Sequence, residues 1–320
     1  MIYTFQPILK QTIWGGRRIA SFKNLEDAPD SVGESWEISG VAGNESIVVG
    51  GPDCGLTLTQ LIERHGAAIT GEANYRRFGT EFPLLIKFID ANDDLSVQVH
   101  PDDDLARARH NSRGKTEMWY VIDASRGAHL KSGLKSPLSP EEYPDAVADN
   151  TICDRLAEYE VAPGDLFFLP AGRVHSIGAG CFIAEIQQTS DITYRIYDFN
   201  RVGADGRPRE LHTELAKDAI DYTVYPDYRT HYTARPRALT PLVKCEYFTV
   251  ELAEIDDCVL SLPQVDSFIV VVAVGGAVTI EADGETIVLP RGQSALIPAC
   301  VTAASLRSDM PARALIAYLP

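Results

Sequence analysis

Short runs of β-branched and aromatic residues recur along the whole chain, each cut off by Gly, Pro, Asn or Asp. This rhythm argues against long helices and against alternating β–α units. In the first part of the chain the runs span residues 34–39, 46–49, 84–89, 95–100, 116–123, 165–169, 183–189 and 193–198; in the last part they span 249–253, 267–274, 277–282, 286–289, 294–297 and 313–318. So regular a succession predicts a mainly β fold of the barrel or sandwich kind. Helical patterns are few, at residues 56–69, 102–110, 140–149 and 209–223, the second opening with aspartates that suit a helix N-terminus.

Residues 225–241 carry Pro226, Pro236 and Pro241 without apolar periodicity and read as a connector. Two domains follow from it, 1–235 and a smaller 242–320. Their sequences echo each other. A shift of 149 residues sets Glu117-Met-Trp-Tyr-Val-Ile against Asp266-Ser-Phe-Ile-Val-Val, and a shift of 128 sets Gly164 and Pro170 against Gly292 and Pro298. Two β-barrels of one type, the first carrying an inserted helical segment, account for both offsets.

With 320 residues, 45% of them apolar, the chain can bury substantial cores, whereas a net charge of −16 disfavours nucleic acid as a partner. The amino-terminal segment lacks the basic and apolar regions of a secretory signal, and no apolar run is long enough to cross a membrane. A cytoplasmic protein without a membrane partner is expected. Six scattered cysteines with no C-x-x-C pair read as reduced packing thiols.

The stretch Asp94-Leu-Ser-Val-Gln-Val-His-Pro-Asp-Asp103 is where chemistry enters. Strand alternation puts Ser96, Gln98 and His100 on one face and Val97 and Val99 on the other. In a barrel the polar face would point inward. The next strand brings Lys115 and Glu117 to one face. Further on, Gly164 to His175 has the form G-x5-P-x-G-x2-H, in which glycines permit a tight turn that delivers the histidine to a new strand. Gln98, His100, Glu117 and His175 thus form a candidate ligand set of two imidazoles, a carboxylate and an amide, which suits zinc. Only Glu117 brings negative charge, so the ion would keep Lewis acidity toward carbonyl and hydroxyl oxygens. In the second copy the same offsets fall on Asp266 and Ala303, so no metal is expected there.

On these residues the chain resembles type I phosphomannose isomerases, zinc-dependent enzymes of the cupin superfamily. The Gly164–His175 run is similar to the second cupin motif, with Ala179 where asparagine often follows. More specific are FPLLIKFIDANDDLSVQVHPDD, from Phe82 to Asp103, and EIQQTSDITYRIYD, from Glu185 to Asp198. The resemblance runs from Phe5 to about Asp221, and more weakly to the end. It implies two jelly-roll cupin domains with a few helices inserted in or packed on the first, and one zinc ion on Gln98, His100, Glu117 and His175. It also implies a catalytic arginine at Arg195 and active-site lysines at Lys87 and Lys115. Some longer members carry a histidine before the second lysine; here that position is Gly114, which removes it as a base.

The activity so implied interconverts mannose 6-phosphate and fructose 6-phosphate through a cis-enediol. It needs a base near an acidic C–H and positive charge for the developing oxyanion. Glu185, whose carboxyl burial would raise, and Lys115, which zinc and Lys87 would depress, are the candidate bases, Glu185 preferred, although Glu185 could equally hold Arg195 in place. Lys87, Arg195, Arg201 and the Ser96 hydroxyl are candidates for the phosphate. Trp14-Gly-Gly and Gly33-Glu-Ser-Trp-Glu37, which recur in the family, are expected to frame the cleft, and the other histidines to pack or face solvent. A metal-dependent cupin dioxygenase and a non-catalytic sugar-phosphate sensor are the alternatives; a monomer or weak homodimer is expected.

Overall fold

Leu84-Leu-Ile-Lys-Phe-Ile-Asp90 is almost continuously apolar, as a strand covered on both faces must be. The computed structural model describes residues 1–202 and 206–320 and buries every residue of this strand. The strands of the first part are β1 (Tyr3–Gln6), β2 (Ile8–Gly16), β3 (Val32–Ser39), β4 (Ile47–Val49), β5 (Leu84–Asp90), β6 (Val97–Val99), β7 (Glu117–Ala124), β8 (His129–Leu134), β9 (Leu156–Glu160), β10 (Leu166–Leu169), β11 (His175–Ile177), β12 (Cys181–Gln188) and β13 (Tyr194–Tyr197). Those of the second are β14 (Ala238–Lys244), β15 (Thr249–Ile255), β16 (Cys258–Ser261), β17 (Ile269–Gly275), β18 (Val278–Ala282), β19 (Glu285–Leu289), β20 (Ser294–Ile297), β21 (Ala304–Ser308) and β22 (Ala312–Tyr318). The helices are short: α1 (Arg18–Lys23), α2 (Leu58–His65), α3 (Ala67–Thr70), α4 (Glu72–Phe78), α5 (Asp103–His110), α6 (Tyr143–Ala148) and α7 (Thr213–Ala219).

The strands form two jelly-roll pairs of sheets. The order β10-β7-β12-β5-β3-β2 faces β13-β6-β11-β8-β9, and β14-β15-β22-β17-β20-β1-β4 faces β16-β21-β18-β19. Alternation along β5, β7 and β12 divides their side chains between two cores. Ile89, Trp119, Val121 and Ile183 meet Leu130 and Ile177 inside the first jelly roll. Leu84, Ile86, Phe88, Met118 and Ile186 point the other way and pack on Phe268, Val270 and Leu315 of the second. Each such fully buried side chain contributes about 1.5–3 kcal/mol, so the two large sheets are joined by an apolar layer. The second jelly roll has its own core, including Val271, Ile280, Leu306 and Ile316.

Several elements depart from the sequence expectations. The helix expected over residues 56–69 starts at a capping box, Thr57 with Gln60, and then breaks at Gly66 and Gly71, whose positive φ angles of 56° and 93° turn the chain into α3 and α4. The helix expected over 209–223 is only α7, because His212 pairs with Arg195 through both its backbone N–H and its ring Nδ1. The supposed connector is fastened to the first jelly roll: Tyr228 donates its hydroxyl to the Leu134 carbonyl, and Phe167 bridges to Arg229. Strand β1, near the amino terminus, pairs antiparallel with β20 of the second part. The counterpart of Glu117, Asp266, accepts hydrogen bonds from the Glu72 and Ala73 amides at the start of α4.

Candidate active site and metal centre

The site lies between the sheets of the first jelly roll, where strand register sets its side chains in two rows. Arg195 of β13, Gln98 of β6, His175 of β11 and Ser132 of β8 are successive cross-strand partners. Opposite them run Lys87 of β5, Glu185 of β12 and Trp119 of β7. Ser96, Gln98 and His100 share the inner face of β6, while Val97 and Val99 pack outward under α6 and α7 with Tyr143 and Ala216.

His100, Glu117 and His175 are fully buried, and their donor atoms lie within 4.8 Å of one another. His175 Nε2 is 3.3 Å from Glu117 Oε1, and His100 Nε2 is 3.5 Å from Glu117 Oε2. Each ring donates from Nδ1 to a backbone carbonyl at 2.8 Å, His100 to Ile192 and His175 to Arg173. That assignment leaves the Nε2 lone pairs turned to the centre, as ligating imidazoles require. Burial, reinforced by the Lys115 ammonium, holds His175 down to about 3 and His100 well below the ordinary imidazole range, so both rings stay neutral. Gln98 Nε2 lies 3.2 Å from His175 Nε2, and turning the amide over would bring its oxygen to the same place.

A metal ion fits this donor set. Glu117 Oε1 is buried without a hydrogen-bond partner, a costly state that a cation relieves. Burial and the nearby Glu185 charge push the Glu117 carboxyl up to about 7 despite the Lys115 contact, so its charge also needs a partner. The four residues able to hold the ion are Gln98, His100, Glu117 and His175.

Beside them lies a cavity of about 390 Å³ whose walls include Lys87, Ser96, Gln98, Lys115, Glu185 and Arg195. Lys87 Nζ is 3.0 Å from Glu185 Oε1 and 3.5 Å from Glu34 Oε2. Lys115 Nζ reaches His100 Nε2 at 2.9 Å, Glu117 Oε2 at 2.5 Å and Glu185 Oε1 at 3.9 Å. Burial alone would raise Glu185, but Lys87 and Lys115 outweigh it and hold the carboxylate below its usual range. Burial alone would likewise lower Lys87, yet Glu185 and Glu34 carry it above the ordinary lysine range. The structure therefore keeps Lys87 and Glu185 charged, opposite to the burial-raised Glu185 expected from sequence.

Arg195 sits half-buried on the wall, its Nε without a hydrogen-bond partner. Arg201 turns toward the Asp94 carbonyl and the Asp198 carboxylate, the latter at 2.6 Å. The second guanidinium lining the cavity is instead Arg209, held on Asp198 at 2.5 and 2.7 Å. Sequence reading missed Arg209 because it lies in an irregular segment, which no continuous strand or helix ties to Arg195. Trp14, Glu34 and Trp36 do frame the cavity. A side chain at Gly114 would place its Cβ 2.6 Å from the Asp102 backbone, which explains the glycine there.

Fold and site together define a cupin-type protein with two jelly rolls and a candidate metal centre in the first. Residues 2–125 match the family model "Phosphomannose isomerase type I, catalytic domain", and 238–312 match "Mannose-6-phosphate isomerase, cupin domain". Mannose-6-phosphate isomerase ManA of Bacillus subtilis is 37% identical over 77% of this chain and 77% of its own. A mannose-6-phosphate isomerase of Streptococcus mutans is 34% identical over 95% of each. The crystal structure of a mannose 6-phosphate isomerase from Bacillus subtilis superposes with a TM-score of 0.88 at 30% identity, over 100% of this chain and 99% of that one. The chain belongs to the type I phosphomannose isomerase family.

Proposed function

We propose that the chain interconverts mannose 6-phosphate and fructose 6-phosphate as a zinc-dependent aldose–ketose isomerase. The observation that carries this reading is the convergence of His100, Glu117 and His175, with an unpartnered Glu117 oxygen, on the cavity that Lys87, Lys115, Glu185 and Arg195 line. Zinc bound at Gln98, His100, Glu117 and His175 supplies Lewis-acid polarisation of the sugar oxygens. Moving the proton falls to the protein's own groups. Glu185, kept ionised by two lysines, accepts the C2 proton of the open-chain aldose and returns it to C1 of the enediol. Lys115, 3.9 Å from that carboxylate, gives a proton to O1 as negative charge builds there and takes one back from the O2 hydroxyl as C1 is protonated.

The guanidinium of Arg195 presents fixed donors to the enediolate or the phosphate. Ser96 and Lys87 line the cavity and suit the phosphate oxygens, and Arg201 shares the Asp198 carboxylate that holds Arg209. A coupled assay for fructose 6-phosphate tests the reading. Turnover of mannose 6-phosphate, its loss on chelation and its return with zinc are expected; turnover that survives complete chelation overturns the zinc assignment.

A further inference from the structure

Trp119 touches two parts of the site without lining the cavity. It is fully buried on β7, one residue pair along from Glu117, and its indole Nε1–H donates to Glu185 Oε2 at 2.6 Å. Its ring stands edge-on to His175, with centroids 5.1 Å apart and planes at 90°. The other Glu185 oxygen faces Lys87 at 3.0 Å. The carboxylate is therefore held from both sides, by an ion pair with Lys87 and by the indole N–H. A phenylalanine would fill the same apolar space beside Leu169, Ile177 and Ile183 without burying a polar N–H. The indole is thus warranted by its donor, whose partner is a carboxylate in the cavity wall.

We propose that Trp119 is a positioning residue. Its N–H fixes the orientation of the Glu185 carboxylate, and its ring edge buttresses His175. The proposal rests on the isomerase reading, in which Glu185 moves the proton between C1 and C2. Of the two lone-pair directions on Oε2, the indole takes one, and the carboxylate cannot then rotate about its terminal bond without breaking both contacts. Proton transfer is sensitive to such placement: a misplacement of about 1 Å can cost about 100-fold in rate.

The test compares metal-loaded wild type, Trp119→Phe, Glu185→Gln and the double variant. Trp119→Phe is expected to lower kcat about 10- to 100-fold, with KM for mannose 6-phosphate and metal content unchanged. In the Glu185→Gln background the same substitution is expected to change kcat less than about twofold, because coupled residues do not add. Of the three tryptophan indole resonances in a ¹⁵N-labelled chain, the one assigned to Trp119 is expected to move on Glu185→Gln. Assignment by elimination with Trp14→Phe and Trp36→Phe keeps this readout decisive where Trp119→Phe does not fold. An unmoved indole signal, an unchanged kcat in folded Trp119→Phe, or full additivity overturns the proposal. Wild type that fails to turn over sinks the isomerase reading instead, while the indole shift still reports the Trp119–Glu185 contact.

Discussion

Lys115 and Glu117 stand two residues apart on one face of the chain entering β7, and the Lys115 ammonium lies 2.5 Å from Glu117 Oε2. The same ammonium reaches His100 Nε2 at 2.9 Å, so one lysine contacts two atoms of the candidate ligand set. A bound metal and Lys115 would therefore draw on the same carboxylate and the same imidazole.

That relationship separates ligand from proton-moving roles. Lys115→Met is expected to keep about one metal ion per chain, since the donor set is intact, while kcat falls at least ~100-fold. Glu117→Ala is expected to lose both metal and activity. Metal analysis with the coupled assay distinguishes them; a metal-free Lys115→Met would contradict the division.

Metal loading has a calculable pH dependence. With Glu117 raised to about 7 and His175 lowered to about 3, the carboxylate and not the imidazoles takes up the competing proton. Apparent metal affinity is expected to fall about tenfold per pH unit below about 7, with a one-proton slope. For the metal-free chain the sign reverses. A carboxyl whose folded pKa is raised stabilises the fold fully below its unfolded value and loses that contribution as pH rises through about 7. Competition titrations with a chelator between pH 5 and 8 measure the slope; a two-proton slope would contradict the assignment.

The two jelly rolls are tied by a buried ion pair. Lys23 of α1 sits 2.7 Å from both oxygens of Glu37 on β3, and it also donates to the Gly292 carbonyl of the second jelly roll. Removing one partner leaves an uncompensated buried charge, so Lys23→Met is expected to destabilise the chain by about 3–5 kcal/mol. Urea denaturation reads this directly; a loss below about 1 kcal/mol would show that water or a shifted side chain rescues Glu37.

A smaller loss is expected where the second jelly roll caps a helix of the first. Asp266 accepts from the Glu72 and Ala73 amides at 2.9 and 3.1 Å. Asp266→Ala is expected to cost about 1 kcal/mol and leave kcat unchanged. A kcat that falls in step with stability would tie α4 to catalysis.

Much of the site was legible because its residues are local in sequence. The alternation Ser96, Gln98, His100, the Lys115–Glu117 pair and the turn that delivers His175 each follow from strand period or glycine placement. The mainly β cupin architecture was legible for the same reason. What escaped depends on register between distant segments. Trp119 and Glu185 pair across 66 residues, Arg209 reaches the cavity through its hold on Asp198, and β1 joins a sheet made largely of strands beyond residue 238. The helix break at Gly66 was readable from the glycine itself, but the apolar period on both sides hid it. The direction of the Glu185 shift was missed because burial was weighed without the two lysines that oppose it.

Anomalous diffraction at the zinc edge tests the central claim most directly. A single peak is expected about 2.0–2.2 Å from Nε2 of His100, Nε2 of His175, a Glu117 oxygen and the Gln98 amide oxygen. Full turnover by crystals or solutions whose His100, Glu117 and His175 contact no ion would contradict it.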